Sequence, residues 1–423
     1  MGKILKILLF FCVCLPVAAQ NIDDGVYQGF KIGKGNKSNV PDIISIQVSS
    51  MRGSTSHFSD DKNKPLSGCF HIIIHRNKYI VANISKGVLE GEWTMYAYGD
   101  NVVEKAIFRN GCYDGEYVQT YGDREIYTFK NCELQHYIAY YSNGQLKVER
   151  IYENGKLHGE VKEYDETGKL IKESNFANGK RHGKQFEVGS NGYSETSSYN
   201  NGIQVGEYLA KFGNGDIAEK GEYDSEGKKT GKWIDNRDNG DPHEETNYKN
   251  GMYHGEVKKY ANGKLYRLEE YVDGEKHGKE IMYYEYPVVR EEKNYTNGDL
   301  DGAVKYYSNK GELQLEYFYQ NGVCLSKKEY ILGYGNVGYT ESFYQIEKRV
   351  GPGSVSTSTY INKEKHYDKN GKLKSLSLRN EKGDMVVVQE YNTAGKVIKT
   401  NKNYKKHSSI TIKEDASGII DIE

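Results

Sequence analysis

Proline and tryptophan are scarce in this chain (Pro 6 and Trp 2 in 423 residues), and beyond the first twenty positions no apolar run is long enough to span a bilayer. Aliphatic residues are thin as well. With 37% hydrophobic and 28% charged residues and a mean hydropathy of -0.79, the chain is too polar for the core of an ordinary globular enzyme of this length. Charge of one sign is also missing. A net charge of -1 offers no basic surface for a nucleic-acid backbone. Of six cysteines, Cys12 and Cys14 lie in the apolar start. The other four, Cys69, Cys112, Cys132 and Cys324, are too few for a disulfide framework and form no CxxC pair for zinc. Glycine and tyrosine stand against these shortages. Gly 47 and Tyr 38 in a proline-poor chain read as many short strands joined by tight turns.

Met1 to Ala19 carry the pattern of an export signal: Lys3 and Lys6, an apolar stretch from Ile7 to Val17, and Val17-Ala18-Ala19 before Gln20. The expected location is the periplasm, the outer envelope or the extracellular space.

A turn recurs at Asn110-Gly111, Asn154-Gly155, Asn178-Gly179, Asn201-Gly202, Glu226-Gly227, Asn250-Gly251, Asp273-Gly274, Asn297-Gly298 and Asn321-Gly322. From Gly155 onward the steps are 23 to 25 residues. A second glycine follows four residues later, as at Gly159, Gly183, Gly255 and Gly302, and an aromatic usually precedes the turn glycine by three, as Tyr152 and Tyr248 do. Halfway between lie Gly144, Gly168, Gly192, Gly215, Gly240, Gly263 and Gly311. Two turns and two strands per repeat is hairpin spacing. Asn-Gly suits turns that need positive φ, and the second glycine is expected to leave room for an aromatic ring across the backbone.

The fold class that follows is all-β: an elongated, solenoid-like β-meander of about 24-residue double-hairpin repeats with capping ends. The expected organisation is a signal segment over 1–19, an N-terminal cap over 20–60, a repeat array over 61–330, and degenerate repeats with a C-terminal cap over 331–423, where Lys399, Lys402, Lys405 and Lys406 suit a solvated end.

Tyr152 to Glu160 with Tyr141 to Glu149, and Tyr248 to Glu256 with Tyr260 to Leu265, carry Tyr-x-Asn-Gly-x-x-His-Gly-Glu followed by aromatic-x-Asn-Gly-x-Leu. This pattern resembles the MORN-repeat variant family, which includes bacterial YwqK-type antitoxin-like proteins. The resemblance implies a scaffold for protein or membrane contacts, with no catalytic site to carry over.

His158, His182, His254 and His277 occupy one turn position, yet equivalent positions two strands apart are separated by roughly 10 Å, too far for one metal ion. His71 and His75 fail likewise along a strand. Gly33-Lys34-Gly35-Asn36-Lys37-Ser38 and Gly231-Lys232 lack the spacing of a phosphate loop. No nucleophile elbow appears, and the acidic residues follow the repeat without a distinctive pair. Cys112 and Cys132, at nearly equivalent turns, are expected to lie about 10 Å apart and stay unpaired. No catalytic residue, metal or cofactor is therefore expected. The doubled tyrosines remain. Strand alternation turns one of each pair outward, which makes Tyr140, Tyr283 and Tyr306 the candidate partner-binding surface and Tyr141 and Tyr307 the packed partners. The reading favoured is an exported, non-enzymatic repeat scaffold that binds a protein partner, with a carbohydrate- or peptidoglycan-binding ribbon and an antitoxin-like inhibitor as alternatives.

Overall fold

The computed structural model describes residues 25–32, 44–49, 56–98, 100–331, 338–351, 354–379, 384–402, 412–414 and 420–422. The export segment, Gly33 to Ser38, Gly99, Gly383, Lys405 and Lys406 lie outside them. Among the described residues every regular element is a β-strand and nearly all ladders join strands adjacent in sequence, so the all-β meander is observed.

The two series of turns build two different edges. Between Leu146–Glu153 and Lys156–Tyr164 the pair Glu153↔Lys156 closes a two-residue turn in which Asn154 (φ 51) and Gly155 (φ 68) are both left-handed. That is a type I′ turn, whose twist matches the strands. At the halfway turn that follows, Asp165 N donates to Lys169 O at 2.9 Å, Gly168 N donates to Asp165 O at 2.9 Å, and Gly168 alone carries a positive φ (83). This is the three-residue loop with a glycine bulge. The first edge is laced by backbone. Gly179 N donates to Leu157 O and Gly202 N to Arg181 O at 2.8 Å, as Gly251 N does to Lys229 O and Gly298 N to Lys276 O at 2.9 Å. The halfway edge is laced by side chains. Tyr141 Oη donates to Tyr164 O and Asn143 Nδ2 to Glu166 O, both at 2.8 Å, and Tyr284 Oη donates to Tyr307 O at 3.1 Å. Each bridge steps one repeat along the chain.

Each second glycine lies directly opposite the aromatic of the next turn: Gly159↔Phe176, Gly183↔Tyr199, Gly255↔Tyr271 and Gly302↔Tyr319. The neighbour beside the glycine is not the expected ring. Gly255 has φ 93, and a side chain there would approach Asn247 at 3.6 Å. Asn247 Nδ2 donates to Glu256 O at 2.8 Å across the register shift between Thr246 and Tyr248. Backbone rotation at a bulge demands glycine here, and an amide fills the gap.

The chain divides into two units, Met1–Gly206 and Glu207–Glu423. At the start of the first, Gly25–Ile32 pairs with both Ile44–Ser49 and Gly68–His75, and His57–Ser59 pairs with Ile44–Ser49. Phe58 N then donates to Gly87 O at 2.7 Å, bringing this end back onto a later turn. The curl encloses Phe58, Phe70, Ile72, Ile80, Leu89, Trp93 and Phe108, with Ile72 and Ile80 at 0% exposure. Further along, stacked rings take over, with Tyr113–Phe129 at 4.9 Å and Tyr117–Tyr127 at 5.5 Å. Small and polar residues follow: Val148, Val161, Ser174, Gln185 and Ser197.

Cys112 and Cys132 are joined by a disulfide, with Cα atoms 5.1 Å apart, against the sequence expectation. Cys112 opens the strand Cys112–Gln119 and Cys132 lies just past Arg124–Lys130, and these strands are paired neighbours. One strand spacing of about 4.8 Å separates them, where the sequence reading counted two. Cys132 also takes the place of the turn glycine at φ 69.

In the second unit the ladders run hairpin by hairpin from Ile217–Tyr223 to Val397–Lys402, and Ile412–Glu414 with Ile420–Ile422 forms a separate hairpin. Its buried line passes through Ala218, Trp233, Thr246, Val257, Glu269, Glu280, Glu291 and Val304. An apolar cluster of Leu376, Leu378, Val386, Val387 and Tyr391 lies near its C-terminal end.

Candidate functional site

The doubled tyrosines do not form one exposed column. Tyr140, Tyr283 and Tyr306 are all half-buried, a correction with an identifiable cause. Tyr141 N donates to Gln145 O, and the equivalent bond is made by Ser308 N to Glu312 O. Tyr307 is therefore the counterpart of Tyr140, and Tyr306 that of the buried Ala139. A slip of one residue reverses the faces. Tyr306 sits opposite Glu291 on the packed side, where burial and that carboxylate push its phenol up to about 12. Tyr307, expected to be packed, donates to Glu292 at 2.9 Å on the other side. Tyr283 lies between register shifts and packs edge-on to Tyr286 at 5.3 Å. Tyr140 lies under Arg124, whose guanidinium is 5.9 Å from the ring centre.

The most exposed described rings lie at or beside halfway turns, while Tyr266 and Phe318 are exposed on strands. In the first unit Tyr98 and Tyr121 are 65% and 66% exposed and stack with centres 6.4 Å apart. In the second, Tyr284 and Tyr286 are 51% and 55% exposed. The positive φ of Tyr98 (53) was not legible in the residue type. The turn spacing could have flagged Tyr98, Tyr121 and Tyr286, because a ring inside a tight loop has no strand neighbour to cover it, while Tyr284 lies at the end of the strand Glu275–Glu285 beside the loop.

Sequence reasoning also missed a charged cluster in the second unit. Glu269 and Glu280 lie directly opposite each other on neighbouring strands and are almost fully buried. Arg267 Nη2 reaches Glu269 at 2.9 Å and Glu280 at 2.7 Å, Lys276 Nζ reaches them at 2.8 and 2.5 Å, and Lys259 Nζ lies 3.2 Å from Glu269. Burial alone would raise both carboxyl pKa values. Hydrogen bonds from Lys276, joined at Glu269 by Lys259, outweigh it and hold both below the usual carboxylate range. The pair thus stays ionised near neutrality and serves as packing. Pairwise spacing hid it, because Glu269 and Glu280 meet only once the turn at Asp273-Gly274 is folded.

The turn histidines lean on carboxylates, His158 on Glu153 at 3.5 Å and His254 on Asp273 at 3.2 Å, while His182 and His277 are exposed. His71 stacks on Tyr79 at 4.2 Å. The charges after the second glycine pair locally, as Glu160 does with Lys162 and Lys232 with Glu245.

Residues 136–156, 157–178, 300–321 and 361–379 match the MORN repeat variant family. These four segments carry the MORN repeat variant pattern. Segments 157–178 and 300–321 each hold one of the facing glycine–aromatic pairs, and 136–156 holds the turn at Asn154-Gly155, which are residues that shape and pack the sheet. MORN repeats generally mediate contacts with proteins or membranes, which fits a repeat scaffold. No curated protein matches the chain. Among solved structures, a chain of the Photorhabdus luminescens Tc holotoxin pore is similar at 10% identity over 93% of this chain, with a TM-score of 0.13, and this chain spans 28% of its length. A likeness that weak carries no argument. Among the described residues no helix is long and apolar enough to cross a membrane.

Proposed function

We propose that the protein is an exported scaffold of MORN variants that binds a protein partner at the bacterial envelope through exposed rings on its halfway turns. The observation that carries this reading is the pair of tyrosine-bearing loops, Tyr98 with Tyr121 and Tyr284 with Tyr286, on strands braced by hydrogen bonds from turn to turn. Rigid, amphipathic rings give contact area at low entropy cost. Export rests on Met1 to Ala19. Mass analysis of protein made with its own leader should find a mature chain beginning at Gln20, and an intact N-terminus would remove the envelope location. Tyr98→Ala with Tyr121→Ala, and Tyr284→Ala with Tyr286→Ala, should each weaken capture of an envelope protein while leaving the circular dichroism unchanged. Undiminished capture by both double variants would overturn the assignment. The stacked Tyr98 and Tyr121 also suit a sugar ring, so binding to isolated cell-wall polysaccharide with no protein capture would transfer the reading to the glycan-binding class.

A further inference from the structure

The second unit departs from its repeat at two facing positions, and together they make a shallow cleft. Two residues after the second glycine many repeats carry Val161, Gln185, Val257, Glu280 and Val304, whereas this one carries Trp233, a large ring as Trp93, Tyr117 and Tyr208 are in others. Opposite it, where neighbouring repeats carry Ser174, Ser197, Thr246 and Glu269, stands Gly221. Any side chain at 221 would meet the indole at 2.1 Å, so the two departures require each other. Trp233 is 3% exposed, stacks on Tyr208 at 5.7 Å, and meets Tyr223 and Tyr248 edge-on at 5.1 and 6.2 Å. Its Nε1 donates to Glu222 O at 3.2 Å, which fixes the ring.

Over this aromatic floor lies one ammonium group of the chain itself. Lys229 Nζ is 3.6 Å from the centre of the Trp233 ring, 5.5 Å from that of Tyr248, and 2.8 Å from Glu219. The floor thus already accepts a cation, by the attraction between a positive charge and a ring face. Lys229 and Glu219 are each about a third exposed, so the lysine can swing out without opening the sheet.

The rim carries three carboxylates against Lys229 at one end and Lys259, which stands opposite Glu244 and bonds Glu269, at the other. Glu219, Asp235 and Glu244 stand directly opposite one another across three neighbouring strands. Asp235 is paired with the exposed His243 at 2.8 Å, and Glu244 accepts from Thr246 Oγ1 at 2.7 Å. Carboxylates side by side across strands repel, and an added cation relieves them. The row spans two strand spacings, about 10 Å. A single small cation covers one end of such a row, whereas an extended segment with basic residues at alternate positions covers all of it.

We propose that the Trp233 cleft receives lysine or arginine side chains from a basic segment of a protein partner, and that Lys229 is its resting occupant, displaced on binding. This deepens the protein-binding reading above and names the chemistry of one contact. It is independent of the tyrosine loops.

The test uses the full chain and a blocked Lys-Gly-Lys-Gly-Lys peptide, read by isothermal calorimetry and by tryptophan emission, with Trp93→Phe making Trp233 the single reporter. Calorimetry on chains that retain Trp93 keeps the test valid if Trp93→Phe fails to fold. The basic peptide should bind saturably and more weakly at high salt, and the matching glutamate peptide should not bind. Lys229→Met, which keeps an aliphatic chain over the indole but removes the competing charge, should tighten binding about fivefold. Glu219→Gln with Glu244→Gln should weaken it by about tenfold or more. Unchanged affinity in Lys229→Met with intact circular dichroism would overturn the displacement. Equal affinity for spermidine and the peptide would overturn the choice of a protein segment. If an envelope protein is captured through the tyrosine loops but none of these variants changes peptide binding, the cleft proposal fails and the scaffold reading survives. If peptide binding follows the expected pattern while Tyr98, Tyr121, Tyr284 and Tyr286 prove dispensable, the cleft proposal stands and the loop assignment fails.

Discussion

Two residues after its second glycine the first unit holds Trp93, set among Phe70, Ile72, Ile80 and Phe108, whereas the second unit at the same position of a later repeat holds Glu280, set among Arg267, Lys276 and Glu269. Both positions are buried and both sit in the same hairpin lattice with the same turn-to-turn hydrogen bonds. The turns therefore specify the fold, and the packed face is free to change chemistry. The energies differ all the same. Burying a large apolar side chain contributes about 1.5–3 kcal/mol, while a buried ion cluster comes close to break-even against an apolar replacement.

The largest expected effects set these two interiors against each other. Trp93→Ala should destabilise the first unit by about 3–5 kcal/mol, with little dependence on salt. Arg267→Ala should cost the second unit a similar amount, about 3–5 kcal/mol, because Glu269 and Glu280 would then face each other with one cation fewer. The contrast comes from a third variant. Replacing Arg267, Glu269, Lys276 and Glu280 together with apolar residues of similar volume should be neutral or stabilising. Urea unfolding followed by circular dichroism measures all three. A severe loss in the fourfold variant would mean that the charges specify this part of the sheet.

Next in size is the cross-link of the first unit. Cys112→Ala with Cys132→Ala opens a closed loop with a sequence separation of 20 and should cost about 3 kcal/mol. The same loss should appear in the unmodified protein under reducing conditions. A melting temperature indifferent to reductant would show that the laced strands alone hold this turn.

Acid separates the units more gently. Glu269 and Glu280 have folded pKa values below the ordinary one, so their contribution is complete above the ordinary carboxylate range near pH 4.5 and is lost as pH falls through the lowered folded values. The apolar interior around Ile72 and Ile80 has no such dependence. Melts at neutral pH and near pH 3 should therefore show the second unit losing more stability, and equal losses would mean that the cluster adds nothing.

The hairpin lattice was legible in the sequence because φ is a backbone property that glycine and asparagine announce, and a repeat announces it many times. Faces were harder. Tyr306 and Tyr140 look alike as the first of two tyrosines, but they stand at different distances from the loop that sets the register, Ser308 to Glu312 in one case and Tyr141 to Gln145 in the other. The Cys112–Cys132 bond was missed for a related reason. Repeat equivalence measures steps of two strands, while the first residue of one strand and the residue just past its neighbour's end are one strand apart. The Glu269 and Glu280 cluster follows no local pattern at all, since its five members come from three strands.

The smallest effects belong to the halfway turns of both units. Tyr98→Ala removes an exposed ring stacked on another exposed ring, and its effect on stability should stay within about 0.5 kcal/mol. Tyr284→Ala also removes the hydrogen bond to Tyr307 O, so a loss of about 0.5–1.5 kcal/mol is expected there. Tyr306→Ala is the control. It removes a half-buried ring from the packed side opposite Glu291, and it should cost more than either turn variant and lower the melting temperature measurably. Thermal melts of the three single variants rank them directly. If Tyr98→Ala proved the most damaging, the exposed loops would be structural elements of the sheet, and the contrast between a packed face that carries stability and a turn edge free for recognition would be lost in both units at once.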